Sequence, residues 1–241
     1  MATVTHYERP RTLDEAIRLL ERPTAVALAG GTHVNALRAG PFEAVDLQAL
    51  DLGGIARVDA GGLRLGALLT LQELAEAPGV PPAIREAARR ECGSALRTQA
   101  TIGGTVVVAG WESELLAALI AHDAVVSVAD RSGSTEVALE TLLETLPLAP
   151  GRIVRSVAIA TDGRSYAART GRTRADRPIV AVVARITPNG GTRVAASGVA
   201  STPVLLESID TLEPPGDFRG SGEYRRALAE TLAARALAGA T

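Results

Sequence analysis

The chain has 241 residues, 46% of them hydrophobic and 22% charged, which is material for one or two globular domains with a sizeable buried core. Its formal net charge of -2 offers no footprint for nucleic acid or an anionic membrane surface. A single cysteine, Cys92, excludes an internal disulfide and an iron–sulfur cluster held by this chain alone.

Residues Met1–His6 lack the charged and apolar stretches of a signal peptide, and no apolar run is long enough to span a bilayer. A cytoplasmic protein without a membrane-spanning segment is expected. Thr12-Leu13-Asp14-Glu15 predicts a capping box for a short helix whose apolar face is Ala16, Ile17, Leu19 and Leu20, ended by Pro23. Val26–Ala29 predicts a strand that stops at Gly30-Gly31-Thr32. Asn35, Ala36, Leu37 and Arg38 suggest a helical turn or two closed by Gly40-Pro41, and Ala44–Leu47 a short strand. Residues 55–58 and 63–67 alternate around Asp59-Ala60-Gly61-Gly62, a hairpin signature. Thr70-Leu71-Gln72-Glu73 is a second capping box, and Pro81-Pro82 start a helix that runs to about Glu91.

Ala100-Thr101-Ile102 then leads into Gly103-Gly104-Thr105, an echo of the first glycine pair. Glu112–Ala121 predicts a core-facing helix, and residues 125–129 and 136–139 a hairpin around Asp130-Arg131-Ser132-Gly133. From Pro150 the texture changes: a strand at Ile153–Ile159, an arginine-dense stretch over 164–177, a hairpin of Ile179–Ile186 with Thr192–Ser197, and a closing helix Tyr224–Leu237 with Leu228, Leu232 and Leu237 inward. The order of elements predicts an α+β fold, with one unit over residues 1–149 and a smaller α+β unit over 150–241.

The two Gly-Gly-Thr stretches are the candidate site. Read as strands opening into turns, they offer glycines that accept positive φ, backbone amides arranged as anion-binding nests, and the hydroxyls of Thr32 and Thr105. Two facing nests suit a pyrophosphate, although a lone Gly-Gly pair is more often a plain turn. The G-x-G-x-x-G spacing of a Rossmann site is absent. His33 reads either as a loop histidine or as a contact to phosphate or ribose, and His122 as a helix-end cation suited to the dipole. Glu114 reads as a helix N-terminal charge or a carboxylate for ribose or ring hydrogen bonds, Trp111 as a core or lid residue, and the arginines as a solvated face or a phosphate clamp. No histidine pair has metal-ligand spacing, and no nucleophile elbow is present.

These residues carry a resemblance that runs nearly end to end. Tyr7-Glu8-Arg9-Pro10-Arg11-Thr12-Leu13-Asp14-Glu15-Ala16, Leu28-Ala29-Gly30-Gly31-Thr32, Arg97-Thr98-Gln99-Ala100-Thr101-Ile102-Gly103-Gly104, Gly198-Val199-Ala200-Ser201-Thr202-Pro203-Val204 and Tyr224-Arg225-Arg226 occur in the order of the FAD-binding medium subunit of molybdenum hydroxylases, which the chain resembles. This is the xanthine dehydrogenase and carbon monoxide dehydrogenase family. The resemblance implies a two-subdomain FAD-binding domain of the PCMH/vanillyl-alcohol-oxidase type, with subdomains at about 1–55 and 56–149, then a shortened C-terminal domain. It implies non-covalent FAD held by Ala29, Gly30, Gly31, Thr32, His33 and Val34, by Thr101, Ile102, Gly103, Gly104 and Thr105, and by Glu114 and Arg169. No catalytic residue and no metal ligand are implied on this chain. Here Thr105 stands where the family usually has Asn, Gly110-Trp111 where it has Ser-Pro, Glu114 where it has Asp, and Arg169 where it commonly has Lys.

The implied function is flavin electron transfer: from iron–sulfur clusters on a small partner subunit, fed by a large molybdopterin subunit, through FAD to an external acceptor. A dimer of heterotrimers is the implied assembly. Two other readings stand beside it, a flavin-free structural subunit that kept the fold and a stand-alone flavin oxidase. The latter lacks a substrate-domain signature in this chain.

Overall fold

A computed structural model describes residues 2–37, 40–58, 61–173, 176–209 and 211–241. Arg38, Asp59, Ala60 and Arg174, which the sequence places in a helical turn, a hairpin turn and the arginine-dense stretch, lie outside the described residues.

The chain opens with β1 (Ala2–Glu8), α1 (Leu13–Leu20), β2 (Ala25–Leu28), α2 (Thr32–Leu37) and β3 (Gly40–Asp46). The three strands form a parallel sheet in the order β1-β3-β2. Parallel neighbours need crossovers, which the two helices supply. Thr12 caps α1 by accepting from the Glu15 amide at 3.2 Å, but the Glu15 carboxylate accepts from the Arg11 amide at 3.0 Å, so the box closes one residue early. Strand β3 begins earlier than the expected Ala44. Pro41 is tolerated in it because only β1 pairs there; β2 joins at Glu43. Ala16, Ile17 and Leu20 of α1 pack on Val45, Leu47 and Leu50 and also on Ala129 and Ile153, so this helix joins the parallel sheet to the next one.

The second unit holds β4 (Ile55–Arg57), β5 (Leu63–Gly66), α3 (Leu71–Glu76), α4 (Pro82–Glu91), α5 (Ser94–Arg97), α6 (Ile102–Val108), α7 (Glu114–Ala121), β6 (Val125–Asp130), β7 (Gly133–Ala138), α8 (Leu139–Glu144) and β8 (Ile153–Ile159). Its antiparallel sheet runs β4-β5-β8-β6-β7. The Thr70–Glu73 capping box is complete, with bonds of 3.2 Å and 2.8 Å. Strand β8 falls after the expected boundary at 149, yet it is the middle strand of this sheet. By sheet membership the division falls after Ile159, because Pro150-Gly151 is a turn within the unit and not a linker.

The third unit is an antiparallel sheet, β12-β11-β10-β9, built from β9 (Arg164–Thr170), β10 (Val180–Ile186), β11 (Thr192–Ser197) and β12 (Val204–Leu205), with α9 (Gly222–Ala240) behind it. Part of the arginine-dense stretch is therefore strand β9. In β10, Val180, Val182 and Ala184 face Ala229, Leu232, Ala233 and Ala236 of α9, while Val183 joins the core that contains α7. Both faces are covered, so β10 is apolar without alternation from Val180 to Ala184; Arg185, also buried, pairs with Asp123 and Asp162. Every residue of α7 is buried, since it lies between α4 and this third sheet.

His122 follows α7 and is 2% exposed. Its Nδ1 lies 2.8 Å from the Ala160 carbonyl and its Nε2 3.0 Å from the Ser165 hydroxyl. Burial pushes its pKa down to about 4. The expected helix-end cation is thus a neutral imidazole at pH 7, with Nδ1 as donor and Nε2 as acceptor, tying α7 to the start of β9.

Candidate functional site

A cleft of about 800 Å³ lies where the parallel sheet meets the five-stranded sheet. That is large for a small-molecule site, for which roughly 300–1,000 Å³ is usual. Its walls come from β2, the Gly30–Val34 stretch, α6, the 147–154 segment, the end of α4, and Arg177 from the third unit. Among the described residues no Phe, Tyr or Trp lines it, in keeping with the 2% aromatic content.

The two glycine stretches meet, backbone against backbone. A Cβ on Gly30 would stand 1.7 Å from the Gln99 carbonyl oxygen, so Gly30 is demanded by close approach and not by its φ. Gly31 has φ +69, a left-handed conformation that glycine adopts without penalty. Among the described residues, the amides of Gly30, Gly31, Thr32 and His33 donate to no protein group. They line the cleft as a row of open donors, the arrangement that suits an anion.

The second stretch differs from its expected form. Gly103 and Gly104 are not in a turn; they are the first turn of α6, capped by Thr101. Every amide there is already committed: Ile102 to the Leu69 carbonyl at 3.0 Å, Gly103 to the Ala67 carbonyl at 2.9 Å, Gly104 to the Thr101 hydroxyl at 3.1 Å, and Thr105 to the Thr101 carbonyl at 2.9 Å. The Thr105 hydroxyl also donates to the Thr101 carbonyl, at 3.0 Å. Thr101 forms a bridge with Thr70, which sets α6 in place. Neither Gly103 nor Gly104 has positive φ. A Cβ on Gly103 would lie 2.8 Å from the Cβ and the carbonyl oxygen of Ala67, so this glycine serves helix-to-strand packing. Thr101 is the exception: its N–H, like those of Gly30–His33, donates to no protein group among the described residues, so the first stretch brings a row of donors and the second brings one donor and shape.

Ala29, Gly30, Gly31, Thr32, His33, Val34, Thr101, Gly103, Gly104 and Thr105 all line the cleft. His33 is exposed there. Ile102 is buried in the core behind it. Glu114 and Arg169 are not among the lining residues. Glu114 is 2% exposed and pairs with Arg90 Nη1 and Arg169 Nε, each at 3.1 Å, while Arg169 also donates to the Asp176 carbonyl. Burial raises the Glu114 pKa against the pull of both arginines.

Glu91 was not singled out from the sequence, and Arg177 is one of the arginines of the 164–177 stretch read there as a solvated face or a phosphate clamp; both line the cleft. One Glu91 oxygen, Oε2, accepts from the Ser113 hydroxyl at 2.9 Å and the Leu115 amide at 3.4 Å; the other lies 3.8 Å from Arg177 Nη2. Burial pushes the Glu91 pKa up. A signal for Glu91 was present: it is the i+7 member of the buried stripe Ile84, Ala87, Ala88 on α4, where a carboxylate is out of place unless it has a partner. Cys92 also lines the cleft, and burial raises its thiol pKa, so it is no ready nucleophile. No group of His, Cys, Asp and Glu suited to a metal ion occurs among the described residues.

Open amides for phosphate and long apolar walls fit an extended nucleotide cofactor. Residues 3–161 match the family model described as the FAD binding domain in molybdopterin dehydrogenase. The uncharacterized protein YgfM of Escherichia coli (strain K12) is 31% identical over 96% of this chain and 94% of its own length. The aldehyde oxidoreductase FAD-binding subunit PaoB of the same organism is 28% identical over 85% of this chain and 84% of its length. In structure, the chain superposes on one from the cyanide-inactivated Cu,Mo-CO dehydrogenase with a TM-score of 0.90 at 22% identity, covering 100% of this chain and 98% of that one.

Proposed function

Since the chain belongs to the family of FAD-binding domains of molybdopterin dehydrogenases, we propose that it passes electrons from iron–sulfur clusters of a partner subunit through FAD to an external acceptor. The observation that carries the reading is the row of open amides at Gly30–His33, set in a cleft of cofactor size inside the matched segment. These amides and the Thr32 hydroxyl hold the pyrophosphate, while Thr101 and α6 set the opposite wall. The flavin supplies the two-electron exchange; the protein orients it and keeps it apart from bulk water with Leu20, Leu68, Val107 and Val108. The raised Cys92 pKa and the absence of a bonding motif support non-covalent retention.

The molybdopterin and iron–sulfur centres are assigned in this reading to a large and a small partner subunit, in a dimer of heterotrimers; the end-to-end likeness to a chain of the Cu,Mo-CO dehydrogenase supports it. No helix of the described residues is long and apolar enough to cross a membrane. The test is purification of the chain with its partners. Visible flavin absorption, with the colour released into the supernatant on acid precipitation, is the expected result. A colourless complex refutes the electron-transfer reading in favour of a structural subunit. A monomer that oxidises a substrate unaided refutes the need for partners.

A further inference from the structure

The geometry points to Arg177, steadied by Glu91, as the side chain by which the third unit grips the flavin-ring end of the bound cofactor. This rests on the reading of the cleft as the FAD site. Among the described residues, Arg177 is the one cleft-lining residue from the third unit. Its approach is arranged from two sides. Below, Glu91 Oε1 lies 3.8 Å from Nη2, and the other Glu91 oxygen is fixed by Ser113 and Leu115 at the start of α7. Behind, Arg169, paired to Glu114, donates to the carbonyl of Asp176, the residue directly before Arg177. Gly110 leaves the guanidinium room, since a Cβ there would stand 3.2 Å from Nη1. Glu91, Glu114 and Arg169 are positioning residues in this arrangement.

The position along the cleft decides which end of the ligand is met. Helix α6 has seven residues, about 10 Å at 1.5 Å per residue. The open amides of Gly30–His33 face its beginning through the Gly30–Gln99 contact, whereas Val107, Val108 and Gly110 stand at its far end with Arg177. A ligand whose pyrophosphate sits at those amides therefore extends one arm to Arg177 and the other toward Val26, Ala27 and the 147–154 segment. The pyrimidine edge of a flavin has two carbonyl oxygens flanking an N–H and gains negative charge on reduction. A planar guanidinium, steadied by the Glu91 carboxylate, answers these carbonyl oxygens. The opposite wall is built of Pro147, Leu148, Ala149, Ile153 and Val154, and its charged member, Arg152, is turned to Asp130, 3.5 Å from its Nε, whereas Arg177 stands beside Gly110 at the end of α6.

The experiment compares dissociation constants for FAD and for ADP, which shares the adenosine and pyrophosphate but lacks the ring, on the deflavinated full chain. Arg177→Gln is expected to weaken FAD about tenfold, the low end for a charge-assisted contact because Arg177 is half exposed, and to leave ADP unchanged. Arg177→Lys should recover part of the loss. Arg172→Gln, on the exposed side of the same turn, should change neither ligand, and thermal melting checks folding. An equal loss of FAD and ADP, or no loss of either, overturns the assignment while leaving the cleft reading in place. If the unsubstituted chain binds neither FAD nor ADP, the cleft reading falls and this inference with it.

Discussion

Replacing Gly103 with alanine separates a packing role from a phosphate role. The added Cβ would sit 2.8 Å from both the Cβ and the carbonyl oxygen of Ala67, roughly 0.6 Å inside the 3.4 Å limit of ordinary contact. The obstacle is backbone and a stub side chain, so nothing flexible can swing away. Helix α6 must move from β5, and the 2.9 Å bond from Gly103 N–H to the Ala67 carbonyl stretches with it. Overpacking of this kind costs about 1–3 kcal/mol and a weakened hydrogen bond about 1 kcal/mol. The gain in helix propensity on replacing glycine offsets about 1 kcal/mol. The net expectation is a loss of about 1–3 kcal/mol in the unfolding free energy of the cofactor-free protein, read from urea denaturation at constant m. FAD affinity should fall in consequence, because α6 is a cleft wall. If cofactor-free stability is unchanged while FAD binding is abolished, Gly103 meets the phosphate and the packing argument is wrong.

Gly31→Ala should act on both stability and affinity: left-handed strain of about 1–2 kcal/mol lowers the melt of the cofactor-free chain by a few degrees, and the methyl beside the open amides lowers FAD affinity at least tenfold in addition. An unchanged FAD dissociation constant would exclude these amides from the site. His122 gives the fold an acid limb. Its folded pKa, about 4, is below the ordinary 6.5, so the stability it contributes is full above pH 6.5 and is lost as pH falls toward 4, by about 3 kcal/mol. Urea titrations at pH 7 and pH 4.5 should show most of that difference, and His122→Asn should flatten it; an equal slope in the variant refutes the assignment. Co-expression with partner subunits should yield a flavin-bearing complex by size-exclusion chromatography, and a chain that elutes alone refutes the proposed assembly.

The sequence made the fold legible where a local rule sufficed. Thr70 and Glu73 announce a helix start because both halves of the capping box lie within four residues. Asp130–Gly133 announces the β6–β7 hairpin by its turn residues alone. What was not legible depends on contacts distant in the chain. The division after Ile159 follows from β8 pairing with β5 and β6, strands on either side of five helices. Gly103-Gly104 looked like a turn because glycine pairs usually are one; the Thr101 cap and the closeness of Ala67 turn the pair into a helix start. His122 looked cationic at a helix end, but Ala160 and Ser165 come from the far side of β8 to bury it. In the site, the glycine stretches were readable as motifs, whereas Arg177 was readable only as one arginine among those of the 164–177 stretch, and its place in the cleft depends on the third unit packing beside α4 and α6.

Glu114 tests whether charge or shape holds this connecting turn. Removing one member of a buried ion pair commonly costs about 3–5 kcal/mol, because the remaining charge is left without its partner. Here Arg90 and Arg169 retain some solvent, 33% and 15% exposed, while Glu114 is 2% exposed. The cost of burying the charge therefore falls mainly on the carboxylate, and its raised pKa means that this cost exceeds the attraction of both arginines. A folded pKa above the unfolded one contributes stability at low pH that is lost as pH rises through it, so at pH 7 the ionised group is no net asset. Glu114→Gln removes the burial penalty together with the charge and keeps an oxygen to accept from Arg169. Its unfolding free energy should stay within about 1 kcal/mol of the parent. Glu114→Leu keeps neither oxygen, withdraws the acceptor from both arginines, and should cost about 3 kcal/mol. It should also weaken FAD through the Arg169–Asp176 link, with ADP spared. Urea denaturation at pH 7 and the FAD-to-ADP affinity ratio measure both effects. If Glu114→Gln proves as damaging as Glu114→Leu, the full charge is what holds Arg169, and the balance between burial and attraction drawn here is inverted.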